Sequence, residues 1–245
     1  MKLALITDPR GFPVVRQMEF SYHLVLAQYI REDPKYVDFY RERHEHGDFI
    51  IVDNGAAESV QLHVHELVNA ARDVRADEII LPDVLGDKKA TLEATLHDIT
   101  RNAIPARMRA VCPQGSSIEE WIECLQVMKD SMEFATVCVP KHLERFEGGR
   151  RKVLKWLTEN YYHDRYNIHL LGVWGYPYKE MMALKPYTSV CRGIDTALPF
   201  ALAQNQLLLD MHLEDHISYK WGRKLDRSLA SANAHTLWEW VWSYE

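Results

Sequence analysis

Asp8, Asp53, Asp83 and Asp195 each follow directly on a short apolar run, and Gln114 and Gly172 close two other runs of the same kind. Several carboxylates gathered around one pocket suit two chemistries. They can ligate a hard divalent cation, or they can divide into a nucleophile and a general acid/base that together break a glycosidic bond. A single aspartate at such a place is ordinarily a turn former or a helix N-cap. Convergence of several is what would give them chemical meaning. Histidine adds little to the metal reading: His44/His46 and His63/His65 form H-x-H pairs, but neither pair ends an apolar run, and both fit solvated helix positions.

The elements that must position these residues are short runs rich in β-branched side chains, separated by helical patterns, which is the signature of βαβ units and a parallel sheet. Seven are legible: Leu3 to Thr7, Phe49 to Val52, Glu78 to Leu81, Met108 to Cys112, Phe134 to Val139, Ile168 to Val173 and Ser189 to Ile194. Between them, Ile118, Trp121, Ile122, Leu125 and Met128 recur at helical spacing behind Ser116 and Ser117 as candidate caps. The expected fold is an α/β (β/α)8 barrel of the TIM type, with the acids at the C-terminal strand ends where loops converge over the mouth. An irregular eighth strand is expected after Pro199, in "ALAQNQLLLDMHLEDH", although that stretch leans helical. An open doubly wound sheet is the alternative; no G-x-G-x-x-G follows the first strand, which counts against a dinucleotide-binding version.

With 245 residues, 47% hydrophobic and 26% charged, the chain has ordinary globular composition and is expected to form one domain. A net charge of −6 argues against coating nucleic acid by bulk charge and leaves room for a local basic groove. The four cysteines, Cys112, Cys124, Cys138 and Cys191, show no C-x-x-C pairing and are expected to be reduced. No run approaches about 18 apolar residues and no leader precedes Leu3, so a cytoplasmic location without membrane partners is expected. The tail from His212 to Glu245 combines basic "KWGRKLDR" with aromatic "LWEWVWSY" and should pack across the barrel or on a partner.

In order along the chain, "IIVDNGAAE" (Ile50 to Glu58), "ILPDVL" (Ile80 to Leu85), "VCPQGS" (Val111 to Ser116), "HLLGVWGYP" (His169 to Pro177) and "IDTALP" (Ile194 to Pro199) resemble the motifs of the tRNA-guanine transglycosylase superfamily. The resemblance implies a (β/α)8 barrel that exchanges a base in nucleic acid for a 7-deazaguanine or related modified base through a covalent sugar–enzyme intermediate, without a cofactor. Asp195 would be the nucleophile and Asp53 the general acid/base, aimed by the turn at Asn54. Asp83 would accept hydrogen bonds from a guanine-like base. Gln114 and the Gly115 N–H would address its carbonyl side, and Leu171 and Gly172 would floor the pocket.

The chain departs from that family in several places. The cysteine-rich zinc element of the tRNA-modifying members is absent, as are the arginines after the nucleophile. Ala56, Ala57 and Glu58 replace the aromatic residue that stacks on the base. These losses favour DNA over tRNA as the nucleic-acid partner and resemble compact DNA-modifying members from phages and bacteria. Basic residues on loops would then hold the backbone: Arg150 and Arg151 at a helix start, and Lys220 and Arg223 in "YKWGRKLDR". A small modified nucleobase would be the second partner, and a homo-oligomer is compatible with the sequence. Two other readings stay open: a glycosidase or nucleoside-processing enzyme using the same aspartates, and a catalytically inactive relative that binds a nucleobase or a protein.

Overall fold

The computed structural model describes residues 1–58, 60, 62–99 and 104–242. The strands are β1 (Lys2–Leu5), β2 (Tyr22–Leu26), β3 (Phe49–Asp53), β4 (Glu78–Ile80), β5 (Arg109–Val111), β6 (Thr136–Pro140), β7 (Asn167–Leu171) and β8 (Gly193–Thr196). The helices are α1 (Phe12–Gln17), α2 (Ala27–Glu32), α3 (Pro34–Glu45), α4 (Val64–Val74), α5 (Lys88–Ile99), α6 (Ile118–Ser131), α7 (Gly149–Glu159), α8 (Pro177–Leu184), α9 (Leu198–Gln204) and α10 (Arg227–Trp242). All strand pairs are parallel, and the order β1-β8-β7-β6-β5-β4-β3-β2 wraps the sheet into a nearly closed (β/α)8 barrel.

Strands covered on both faces need apolar residues on both, and β2 and β6 are buried along their whole length. Successive side chains point to opposite faces. One set, including Ala4, Tyr22, Leu24, Ile51, Ile80, Ala110, Cys112 and Cys138, fills the barrel interior. The other, including Leu3, Val25, Ile50, Val52, Val111 and Val137, packs outward on the helices. The helix anticipated at Ile118 is α6, and the Ser117 side chain caps it by accepting from Glu120 N at 3.2 Å.

Two expectations about strands need correction. The strand missing from the sequence reading is β2, not a segment after Pro199. Leu26 ends β2 and is at once the N-cap of α2, with no turn residue between them, so strand and helix merge into one apolar run. Pro199 lies in the first turn of α9, and the chain beyond it forms an irregular strap that leads to α10. The open doubly wound alternative falls with the barrel order. All four cysteines are buried and free, as the sequence suggested. Among the described residues no helix is long and apolar enough to cross a membrane.

The interior also holds polar groups, which must be satisfied where they stand. Glu78 accepts from both terminal nitrogens of Arg192, at 2.7 and 2.5 Å, and from Thr136 Oγ1 at 2.8 Å. Arg192 Nε donates to the Tyr22 hydroxyl at 3.2 Å, and that hydroxyl lies 2.9 Å from His169 Nδ1. The Tyr22 ring can reach across only because Gly193 has no side chain: a Cβ there would stand 2.3 Å from Tyr22 Cε1. Gly193→Ala should therefore displace the ring and cost about 1–3 kcal/mol. Urea denaturation checks this, and a midpoint equal to wild type would show that the interior has slack there.

Candidate active site

The C-terminal ends of the strands form the mouth, and each expected acid is found there. Phe49 and Ile51 border the interior, and Asp53 continues their face at the end of β3. Asp53 Oδ2 accepts from Gly55 N at 3.3 Å. Asn54, in the turn, is the hinge of the arrangement. Its Oδ1 accepts from Ala56 N at 2.8 Å, which orients its Nδ2 to donate to Leu81 O at 2.7 Å and to Asp83 Oδ1 at 2.6 Å. Gln114 is oriented in the same way. Gly86 N donates to its Oε1 at 3.0 Å, and its Nε2 donates to Asp83 Oδ2 at 2.5 Å.

Asp83 is thus clamped between two amides, each fixed by the backbone. Burial pushes its pKa up, and the hydrogen bonds from Asn54 and Gln114 only partly counter that, so the net direction is above the ordinary value. The residue as a whole is half-buried while its carboxyl is desolvated. Capping of the next helix falls to Asp87 instead, whose Oδ1 accepts from Ala90 N at 2.9 Å. The Cys112 thiol is pushed well up, by burial first and then by the charges of Asp83, Cys138 and Asp53.

Asp195, on β8, is only 3% exposed. His169 Nε2 lies 3.0 Å from its Oδ1, and Gly172 N donates to both oxygens at 3.2 Å. The donors align in one sense, from Arg192 through Tyr22 and His169 to Asp195, which assigns the Nε2–H tautomer to His169. Gly172 takes φ +77°, a conformation that favours glycine, and a Cβ there would strike the Trp174 ring. Leu171 is part-buried against the interior cluster. Gly115 has a packing role: a Cβ would stand 2.7 Å from Trp121 N at the start of α6.

The basic residues divide. Arg150 is fully buried, donating to Leu171 O at 3.1 Å and Gly172 O at 3.0 Å and pairing with Glu180, so it offers no exposed group to a phosphate. Arg151 and Lys220 are exposed, as is Arg223, which donates to Asn205 Oδ1 at 3.1 Å. Lys141, at the end of β6, also pairs with Glu180, and burial lowers its pKa despite that partner. Asp8 holds the strap. It pairs with Arg10 and accepts from Gly222 N at 3.0 Å, while the Tyr219 hydroxyl accepts from Asp8 N at 3.1 Å. Trp221 stacks on Tyr29, ring centroids 3.3 Å apart, and packs against the interior cluster. Within the tail, Tyr219, Trp221 and Gly222 contact Asp8 and Tyr29.

Sequence reasoning passed over His169, Lys141 and Gln28, because a His or Lys inside a strand run and a Gln in a short helix carry no motif. Among the described residues no three His, Cys, Asp or Glu side chains form a group able to hold a metal ion. Two surface grooves are lined elsewhere, one by α1 and α10 residues including Gln17 and His235, the other by residues including Arg75, Pro105 and Met108.

No protein-family model matches the chain, and no curated protein matches it. Solved structures do. Endonuclease IV from Thermus thermophilus aligns with a TM-score of 0.58 at 12% identity, over 98% of this chain and 99% of that one. D-psicose 3-epimerase with D-tagatose from Clostridium cellulolyticum aligns at 0.54 and 10% identity, over 98% of each chain. N-acetylneuraminate lyase from Mycoplasma synoviae aligns at 0.53 and 10% identity, over 80% of this chain and 69% of that one. At such identities the likeness establishes the barrel fold.

The resemblance to tRNA-guanine transglycosylases, and the base exchange it implied, are corrected by these findings. The matching barrels are an endonuclease, an epimerase and a lyase. The geometry gives the physical reason. The motif residues bond to one another: Asp195 accepts from Gly172 N and faces His169, and each Asp83 oxygen accepts one hydrogen bond, from Asn54 and from Gln114.

Asp8 carries a pH prediction. Burial raises its pKa, but hydrogen bonds from Arg10, Gly222 N and Tyr219 together bring it below the ordinary aspartate value. A folded pKa below the unfolded one means that the stabilisation is present above about pH 4 and is lost as pH falls through the folded value. The urea midpoint of wild type should thus fall more steeply from about pH 5 to about pH 2 than that of Asp8→Asn; parallel curves would contradict the assignment.

Proposed function

We propose that this chain is an enzyme that carries out general acid–base chemistry on a small, polyhydroxylated, sugar-like molecule at the C-terminal mouth of the barrel. The observation that carries the proposal is Asp83: a carboxyl desolvated, clamped on both oxygens and shifted upward in pKa, beside a second acid, Asp53. A raised carboxyl pKa brings the group toward the range in which it can both give and take a proton. In this reading protonated Asp83 donates to a substrate oxygen, Asp53 accepts the compensating proton, and Asp195 is held in position by His169 and Gly172.

The charge balance favours a neutral substrate. Asp53 and Asp195 stand at the mouth, Arg10 is offset by Asp8, and Lys141 and Arg150 are buried around Glu180, so none of these cations is presented to an anionic group. A phosphorylated or polyanionic molecule would meet repulsion there. The D-psicose 3-epimerase structure, with D-tagatose, supports a sugar as an occupant of a barrel of this size.

Incubation with neutral ketoses and aldoses in deuterated water, followed by proton NMR, tests the reading. Wild type should incorporate solvent deuterium or release a new product, and Asp83→Ala should lower that rate by about 10²–10⁴-fold. Equal rates in the two proteins, or turnover confined to phosphorylated sugars, would count against it.

A further inference from the structure

Gln28 is a buried polar side chain that the fold leaves unused. It lies in the first turn of α2, two residues beyond Leu26, whose partner across the β2–β3 register is Asp53. It is 9% exposed, and neither Oε1 nor Nε2 has a hydrogen-bond partner among the described residues. Buried amides in native proteins are nearly always bonded, so a group left open at both ends calls for an explanation. Its position supplies one. Gly55 takes φ +78°, and a Cβ there would stand 2.9 Å from Gln28 Oε1, so the amide lies directly against the turn that carries Asp53 and Asn54. The following residue of α2, Tyr29, stacks on Trp221 with the ring planes 7° apart, so the same helix carries an aromatic pair.

Nothing in the packing of the free protein requires an amide here. A leucine would occupy similar space without leaving a donor and an acceptor unpaired. A primary amide offers one acceptor and a pair of donors on a single plane. Two adjacent hydroxyls, one donating to Oε1 and the other accepting from Nε2, complement it, and the apolar C–H face of a sugar ring suits an aromatic neighbour.

We propose that Gln28 is a substrate-binding residue, whose amide takes two neighbouring hydroxyls of the sugar-like substrate beside the Tyr29–Trp221 stack. The proposal rests on the reading of the mouth given above and names a binding group for it. Two measurements on wild type and Gln28→Leu test it: the melting temperature without ligand, and binding of D-fructose, D-tagatose and D-ribose by calorimetry. The leucine variant should melt higher by roughly 2–4 °C, as expected for relief of about 1 kcal/mol in a chain of this size, and should bind the sugar at least about tenfold more weakly, a loss of about 1.4 kcal/mol. A lower melting temperature would show that the amide is already bonded in the free protein and overturn the proposal. Sugar binding unchanged in Gln28→Leu overturns this inference alone, whereas failure of wild type to bind any of the three sugars overturns it together with the substrate reading on which it rests.

Discussion

The constraint on which the rest depends is that polar groups buried inside a parallel barrel must find hydrogen-bond partners, because leaving them unpaired costs free energy. This barrel meets it with one directed series of hydrogen bonds. Arg192, anchored on Glu78, donates to Tyr22, Tyr22 to His169, and His169 to Asp195. Each member comes from a different strand or strand end, so the series ties β2, β4, β7 and β8 across the interior as well as around the sheet. It also decides what Asp195 can do. With His169 Nε2 on one oxygen and the Gly172 N–H donating to both, its carboxyl is fixed in place by the interior network.

The other side of the mouth is built differently. Asp53 ends β3 and Asp83 follows β4, and the amide side chains Asn54 and Gln114, from the β3 and β5 ends, are themselves oriented by backbone N–H groups. Rigidity here comes from loop hydrogen bonds, and the electrostatic consequence is an acid in a desolvated setting with only neutral donors to stabilise its charge. The cations that might have held its pKa down are engaged elsewhere: Arg10 with Asp8, Arg150 and Lys141 with Glu180. The strap between α9 and α10 completes the surroundings. Its Tyr219, Trp221 and Gly222 fasten onto β1 and α2 by way of Asp8 and Tyr29, so that the last part of the chain closes over the residues of the first.

Much of this was legible in the sequence. Alternating apolar runs and helical patterns located seven of the strands and the barrel class, because strands buried on both faces cannot avoid writing themselves as apolar runs. The four strand-end aspartates were found by position for the same reason. What escaped detection has physical causes as well. β2 runs into α2 without a turn residue, so no punctuation separates them. His169 and Tyr22 look like ordinary strand residues until Gly193, far along the chain from Tyr22, shows that a ring passes there. Arg150 looked like a phosphate contact at a helix start, yet the carboxylate that consumes it, Glu180, belongs to a later helix. The ordered polar motifs suggested a family, whereas in the structure several of their residues bond to one another.

The central claim is that Asp83 is an acid poised above the ordinary carboxylate range. Carbon-13 NMR of the side-chain carboxyls, with the Asp83 signal assigned through Asp83→Asn, measures that directly across a pH titration. The account predicts a midpoint clearly above the usual aspartate value of about 3.9, higher than that of Asp8 in the same protein. A midpoint at or below about 3.9 would mean that the two amide donors outweigh desolvation, and the acid–base role assigned to the mouth would not stand.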